Sequence, residues 1–468
     1  MTRALLACAL LVTGCASAQS PQAPATATDA RRAASDTGAV AFPSTYTPAT
    51  APPTLIRNAT ILTAAGPRIE NGSVLLREGR IVAVGTSIEA PSGAVVVDAS
   101  GKWVTPGLID SHSHLGDYPA PGGDAVSDGN EAVNPNTAQV WAEHSVWPQD
   151  PQFELARAGG VTALQILPGS ANLFGGRSVT VKNVPSVTVQ GMKFPGAPYG
   201  LKMACGENPK RVYGNRGGPS TRMGNVAGYR AAWIRASKYR DDMARWRDEG
   251  ADPTKRPQRD LQLETLAGVL DGEILVQNHC YRADEMAQMV DVAQEFGYTI
   301  ASFHHGVEAY KIRDLMREHD ICGSLWADWW GFKLEAYDGI KQNIALLEDA
   351  GACAIVHSDD SQGIQRLNQE AAKAMAAGNH NGISITYEDA IRWITINPAK
   401  AIGVDALTGS LEDGKMADVV IWDGDPFSIY SKAEKVFVDG VLLYDRNDPR
   451  THRKSDFMLG ITPGEVIR

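Results

Sequence analysis

The chain has 468 residues, 43% of them hydrophobic, with 46 Gly and 26 Pro, a globular composition long enough for a large core plus an accessory domain. Its 44 basic and 54 acidic side chains leave a net charge of −10, and no basic stripe is present. That balance excludes nucleic acid as a partner and gives an anionic lipid surface nothing to attract.

At the N-terminus, Arg3 precedes an apolar run from Ala4 to Val12, followed by Thr13, Gly14 and Cys15. A positive end, a short apolar stretch and small residues mark a secretory signal. The run is too short to span a bilayer, which takes about 20 apolar residues. The Val-Thr-Gly-Cys ending resembles a bacterial lipobox. That resemblance implies a lipoprotein signal peptide over residues 1–15, a lipid on Cys15 as the only membrane attachment, and a periplasmic or outer-membrane location. An ordinary signal peptide cleaved between Ala16 and Ala18 is the alternative. Residues 16–53, rich in Ala, Pro, Ser and Thr, read as a disordered linker.

Structure is expected from Thr54. Strand-like runs at residues 54–63, 73–77 and 80–85 are separated by the turn signals Asn71-Gly72 and Glu78-Gly79. A similar set at 418–422, 435–438 and 441–444 closes the chain. The two ends, 54–103 and 406–468, are therefore expected to meet in a small β-sandwich, the second also carrying a C-terminal tail.

Between them, over 104–405, strand-length apolar runs alternate with helical spacing. Strands are expected at 103–109, 161–167, 178–182, 200–204, 273–278, 298–303, 321–325 and 352–356, and helices at 282–296, 307–318 and 337–350. Eight strands alternating with helices predict an α/β fold, a (β/α)₈ TIM-like barrel. A doubly wound open sheet is the alternative, but no G-x-G-x-x-G follows a first strand. Residues 221–249, rich in Arg and Asp, read as a solvated, ion-paired helix or a subunit contact of a homo-oligomer.

In such a barrel, functional side chains gather at the carboxyl ends of the strands. Five of the ten histidines fall there: His112, His114, His279, His304 and His305. In a strand, residues i and i+2 share a face, so His112 and His114 converge on one point. Two surface histidines in a turn are the bland alternative. Cys205, Cys280, Cys322 and Cys353 lie apart in apolar segments with no C-x-x-C spacing, and are expected to be buried free thiols.

The run Pro106-Gly107-Leu108-Ile109-Asp110-Ser111-His112-Ser113-His114 resembles the first-strand signature of the amidohydrolase superfamily. Thr395-Ile396-Asn397-Pro398-Ala399-Lys400-Ala401 and the stretch from Gly409 to Asp418 resemble its C-terminal part. Within that superfamily the sequence is similar to imidazolonepropionase-related and Xaa-Pro-dipeptidase-like members. The resemblance implies a barrel, one or two divalent ions such as Zn²⁺, and hydrolysis of C–N bonds. It implies metal ligands at His112, His114, His279 and Asp359, with His305 favoured over His304 because His305-Gly306 matches the family's His-Gly. Asp359, in preference to Asp360, would also accept a proton from the attacking water. His357 would support it. A carboxylated Lys202 would bridge two ions, with Glu207 as the rival bridge and an ion-paired structural lysine as the bland reading.

Trp326, Trp329 and Trp330, just past the seventh strand, are candidates to wall a substrate pocket, or else pack a long loop. Trp141, His144 and Trp147 are further candidates. Among Lys210, Arg211 and Tyr213, a substrate carboxylate finds a candidate partner, an exposed basic turn being the alternative. The expected function is metal-dependent hydrolysis of amide or peptide bonds in small molecules or short peptides, such as dipeptides or N-acyl amino acids. A cyclic amide hydrolase opening an imidazolone or lactam is the first alternative, and a non-catalytic binding lipoprotein the second.

Overall fold

The computed structural model describes residues 42–452, and one compact unit begins at Ser44. The signal peptide, Cys15 and most of the expected linker lie outside the described residues. The linker boundary moves: Thr45 N–H donates to Gln190 O at 2.9 Å and the Tyr46 hydroxyl to Asp439 Oδ2 at 2.6 Å, so the chain is docked before Thr54. Among the described residues no helix is long and apolar enough to cross a membrane.

Strands β1 (Thr54–Ile61), β2 (Ile69–Arg77), β3 (Arg80–Gly85), β4 (Val95–Asp98) and β5 (Trp103–Pro106) open the fold. The barrel follows with β6 (Leu108–Ser113), β7 (Val161–Ile166), β8 (Phe174–Lys182), β9 (Tyr199–Ala204), β10 (Ile274–Cys280), β11 (Ile300–His305), β12 (Cys322–Leu325) and β13 (Ala354–Val356). Strands β14 (Val419–Trp422), β15 (Ala433–Val438) and β16 (Val441–Asp445) close it. The two chain ends form one eight-stranded sheet in the order β16-β15-β14-β5-β1-β2-β3, with β4 also paired to β1. Its core is Ile56, Ile61, Val74, Val104, Val419 and Ile421.

The second sheet runs β13 to β6 in unbroken chain order. Its two edges meet at the site, where Asp359 N–H, just past β13, donates to His112 O of β6 at 3.0 Å. The barrel strands are buried on both faces, as near-continuous apolar runs require. Strand β8 departs from the expected pattern. It begins at Phe174, four residues before the expected 178, and pairs antiparallel with both β7 and β9. The physical reason is the connection. Residues 167–173 leave room for a hairpin return, whereas a parallel crossover takes a dozen residues or more.

Helix α1 (Pro151–Ala158) joins β6 to β7, and α2 (Glu207–Tyr213), α3 (Arg222–Asp248) and α4 (Leu261–Leu270) fill the passage from β9 to β10. Helices α5 (Ala283–Phe296), α6 (Arg313–Glu318) and α7 (Asn343–Asp349) join the next strands in turn. The 27 residues of α3 carry exposed ion pairs, Lys238–Asp242 and Arg230–Glu295 among them, while Tyr229, Trp233 and Ala236 pack inward.

Lys182, fully buried at the end of β8, ties the barrel to the terminal sheet. Its Nζ donates to both Asp418 oxygens at 3.1 Å and to Asp439 Oδ1 at 2.8 Å. A buried ammonium is tolerated only with such complete pairing. The cysteines are paired, contrary to the expected free thiols: Cys205 with Cys280, and Cys322 with Cys353. The reason was invisible to spacing. Each pair sits on neighbouring strands, with Cα atoms 5.3 and 4.4 Å apart, within the reach of a bridge.

Candidate metal centre

The histidine cluster lies at the carboxyl ends of the barrel strands. His112 is wholly buried on β6, and His114 stands just beyond it, two residues along. Their Nε2 atoms lie 3.3 and 3.2 Å from Asp359 Oδ1, so three donors converge on one point. His112, His305 and His357 form a second such group, with donor atoms all within 4.8 Å of one another.

The hydrogen-bond chain behind His112 assigns its tautomer. Gln277 Nε2 donates to Ala401 O at 2.8 Å, which leaves Gln277 Oε1 to accept from His304 Nε2–H at 2.8 Å. His304 Nδ1 is then a lone pair, 2.8 Å from His112 Nδ1, which must carry the proton. The remaining His112 Nε2 presents a lone pair to the cluster. In the same way His114 Nδ1–H donates to Leu167 O at 2.7 Å and frees Nε2. Metal-binding imidazoles are held by such outer hydrogen bonds.

His305 and Asp359 both have left-handed backbones, φ 71° and 53°. Each sits at a strand end where the chain turns, and strain of this kind gathers at functional sites. The His304 and His305 rings both flank His112, with centroids 4.7 and 4.8 Å away. His305 stacks under Trp326 at 4.3 Å, and its Nδ1 lies 3.8 Å from Asp359 Oδ2. Asp360 instead accepts backbone N–H groups of Gln362 and Gly363, a turn role outside the cluster.

Burial pushes the His112, His279 and His305 imidazoles well below the ordinary range, and His357 to about 4, so these rings are neutral. Neutral imidazole is the form that binds a metal. His279 Nδ1, His305 Nδ1 and both His357 nitrogens are buried without a hydrogen-bond partner among the described residues. Three buried imidazoles therefore each keep a ring nitrogen that a divalent ion would take as a ligand, His357 giving one of its two. Burial raises the Asp359 carboxyl, His305 and His114 lower it as far as their rings carry a proton, and the net direction is below the usual carboxylate range.

Lys202 is fully buried on β9. Its Nζ lies 3.0 Å from Pro168 O and 3.4 Å from His112 Nε2, with no carboxylate in ion-pairing range among the described residues. Burial lowers its pKa to about 8. The ion-paired structural reading of Lys202 is thereby removed. Glu207 does not join the cluster. It opens α2 with a side chain 31% exposed, 3.3 Å from Lys333 Nζ. His279 is nearby, its ring 4.7 Å from His305, but outside both close donor groups.

The pocket candidates divide. Trp326 roofs His305 and its Nε1–H donates to Ser358 O at 3.2 Å, while Trp329 stacks on Trp326 at 5.6 Å, half open to solvent. Trp330 packs its loop: a Cβ at Gly339 would stand 2.5 Å from Trp330 Cβ. Tyr213 is 1% exposed beneath Gly218, a core residue and not a pocket one. Arg211 is exposed on α2. Sequence reasoning missed Tyr281, stacked on both His305 and Trp326, and Lys333, 4.0 Å above the Tyr281 ring. Tyr281 had a signal, since it stands two residues after His279.

The chain belongs to the amidohydrolase family. A crystal structure of an amidohydrolase from Thermotoga maritima MSB8 superposes with a TM-score of 0.77 at 37% identity, covering 84% of this chain and 100% of that one. The profile of the amidohydrolase family matches residues 334–444. Amidohydrolase tasK of Hapsidospora irregularis is 34% identical over 431 residues, 84% of this chain, but the chain spans only 43% of that relative. An imidazolonepropionase of Mesorhizobium japonicum is 24% identical over 389 residues, covering 76% of this chain and 87% of the relative.

Proposed function

We propose that this protein is a metal-dependent hydrolase of C–N bonds in small amides, with dipeptides and N-acyl amino acids as the leading substrate class. The observation that carries the reading is the convergence of His112, His114, His305, His357 and Asp359, with buried imidazole nitrogens that nothing else among the described residues satisfies. His112, His114, His305 and His357 would hold zinc or another divalent ion, with His279 close by. Such an ion supplies Lewis acidity, which acidifies water and polarises a carbonyl.

The chain's own groups do the rest. Asp359, held ionised at neutral pH, takes the proton of the attacking water on a carboxylate oxygen and passes it to the leaving nitrogen. Lys202 is a candidate for carboxylation because burial favours the neutral amine, the form that adds carbon dioxide. That step forms an N–C bond and releases one proton, leaving a carbamate. Trp326, with Trp329 at the mouth, covers the site and excludes water from one side.

A second reading, opening of a cyclic amide, is favoured by the imidazolonepropionase relatives. The two disulfides support a further part of the proposal, that the chain works in an oxidising compartment such as the periplasm. The test is a panel of dipeptides, N-acyl amino acids and cyclic amides, assayed with protein supplied with zinc and bicarbonate. One class should turn over, and Asp359→Asn should lose about 10²–10⁴-fold in rate with an unchanged melting temperature. No turnover in any class, or an undiminished rate in the variant, overturns the reading.

A further inference from the structure

Lys333 stands in the loop after β12, beside the histidine cluster. Its Nζ lies 4.0 Å above the Tyr281 ring. That ring packs edge-on against His279 at 4.7 Å and stacks on His305 at 5.5 Å. Lys333 Nζ also donates to Asn208 Oδ1 at 3.0 Å, and Asn208 Nδ2 lies 3.4 Å from His279 Nε2. One aromatic ring and one amide therefore separate this ammonium from the imidazoles.

The ammonium is held by a partner it can exchange. Glu207 Oε1 is 3.3 Å away, and the Lys333 and Glu207 side chains are 19% and 31% exposed. An ion pair in that setting contributes little. Lys333 has three N–H donors, of which Glu207 and Asn208 take two. The other carboxylate nearby, Glu335, is engaged by Arg222. On α2, Arg211 stands four residues after Glu207, the spacing at which an acidic and a basic side chain meet on one helix face. Arg211 is exposed and has no ion-pair partner among the described residues. A change of rotamer would pass Glu207 from Lys333 to Arg211.

The span fits one class of substrate. In a dipeptide or an N-acyl amino acid, the carboxylate is one Cα away from the scissile nitrogen. We propose that Lys333 recognises the free carboxylate of the substrate, with Glu207 as the internal carboxylate that the ligand displaces onto Arg211. The proposal rests on the hydrolase reading above and narrows it to amides that carry a free carboxylate. Lys333 then sets specificity and takes no part in the proton transfers assigned to Asp359.

Titration calorimetry of the full chain supplied with zinc compares leucine with leucinol, which lacks the carboxylate. Neither probe has an amide to hydrolyse. Wild type should bind leucine more tightly than leucinol. Lys333→Met should weaken leucine about tenfold or more and leave leucinol unchanged, and Lys333→Arg should restore part of the loss. Glu207→Gln, which removes the competing carboxylate, should tighten leucine. A lysine that merely held its loop through Glu207 would give the same weakening in Lys333→Met and Glu207→Gln. That result, leucine binding that Lys333→Met retains, or no preference for leucine in wild type overturns the proposal. The second arm compares kcat/KM for the alanyl bond of alanyl-leucine and alanyl-leucinamide. A loss in Lys333→Met confined to alanyl-leucine and carried by KM supports the proposal, and an equal loss on both contradicts it. Leucine recognition through Lys333 without hydrolysis of either compound or any other amide keeps the carboxylate site and sinks the hydrolase reading.

Discussion

His112 Nδ1 lies 2.8 Å from His304 Nδ1, and this contact separates two adjacent histidines that the sequence leaves nearly equivalent. His304 is locked by Gln277 and aims His112, whereas His305 belongs to the close donor group with His112 and His357. Replacing an orienting partner typically costs about 10–100-fold in metal affinity or activity. His304→Ala should therefore weaken zinc affinity by that order in equilibrium dialysis, whereas His305→Ala should remove tight binding. Equal losses in the two variants would contradict the assignment.

Lys202 is buried beside the cluster with a pKa lowered to about 8. Protein incubated with zinc and carbon-13 bicarbonate should show a carbamate carbon resonance, absent from Lys202→Arg. The same spectrum from both proteins would return Lys202 to an unmodified role.

The cysteines give a chemical readout. Under denaturing conditions without reductant, Cys205, Cys280, Cys322 and Cys353 should yield no reactive thiol. Cys205 and Cys280 close a 75-residue separation beside His279, and removing such a bridge costs about 2–5 kcal/mol. Cys205→Ala with Cys280→Ala should accordingly melt several degrees lower. Four free thiols in the native protein would contradict the pairing.

Glu285, in the first turn of α5, shares Arg222 with Glu335. Burial, then repulsion from Glu335, raises its pKa to about 6 against an ordinary value near 4.5. The folded chain thus holds this proton more tightly than the unfolded one. The contribution is fully present below about 4.5 and is lost as pH rises through about 6. Between pH 4.5 and 7.5, wild type should lose more thermal stability than Glu285→Gln. Parallel melting curves across that range would show that Glu285 titrates normally.

Much of this was legible in the sequence because strand period and strand ends carry it. His112 and His114 stand two apart at the end of an apolar run, and Asp359 follows the eighth run in the same way. Three things were not legible. The antiparallel β8 depends on how short a return residues 167–173 allow. The disulfides depend on which strands become neighbours, since partners are separated by 75 and 31 residues. The placement of Glu207 and Tyr213 outside the histidine cluster depends on where α2 points, which spacing alone does not encode.

The central claim is that the histidine cluster holds a catalytic metal. Elemental analysis of the purified protein, after supply of zinc and bicarbonate and exhaustive dialysis, tests it most directly. The account requires at least one divalent ion per chain, lost when His112 and His305 are both replaced by alanine. A wild-type protein that retains no metal would contradict it.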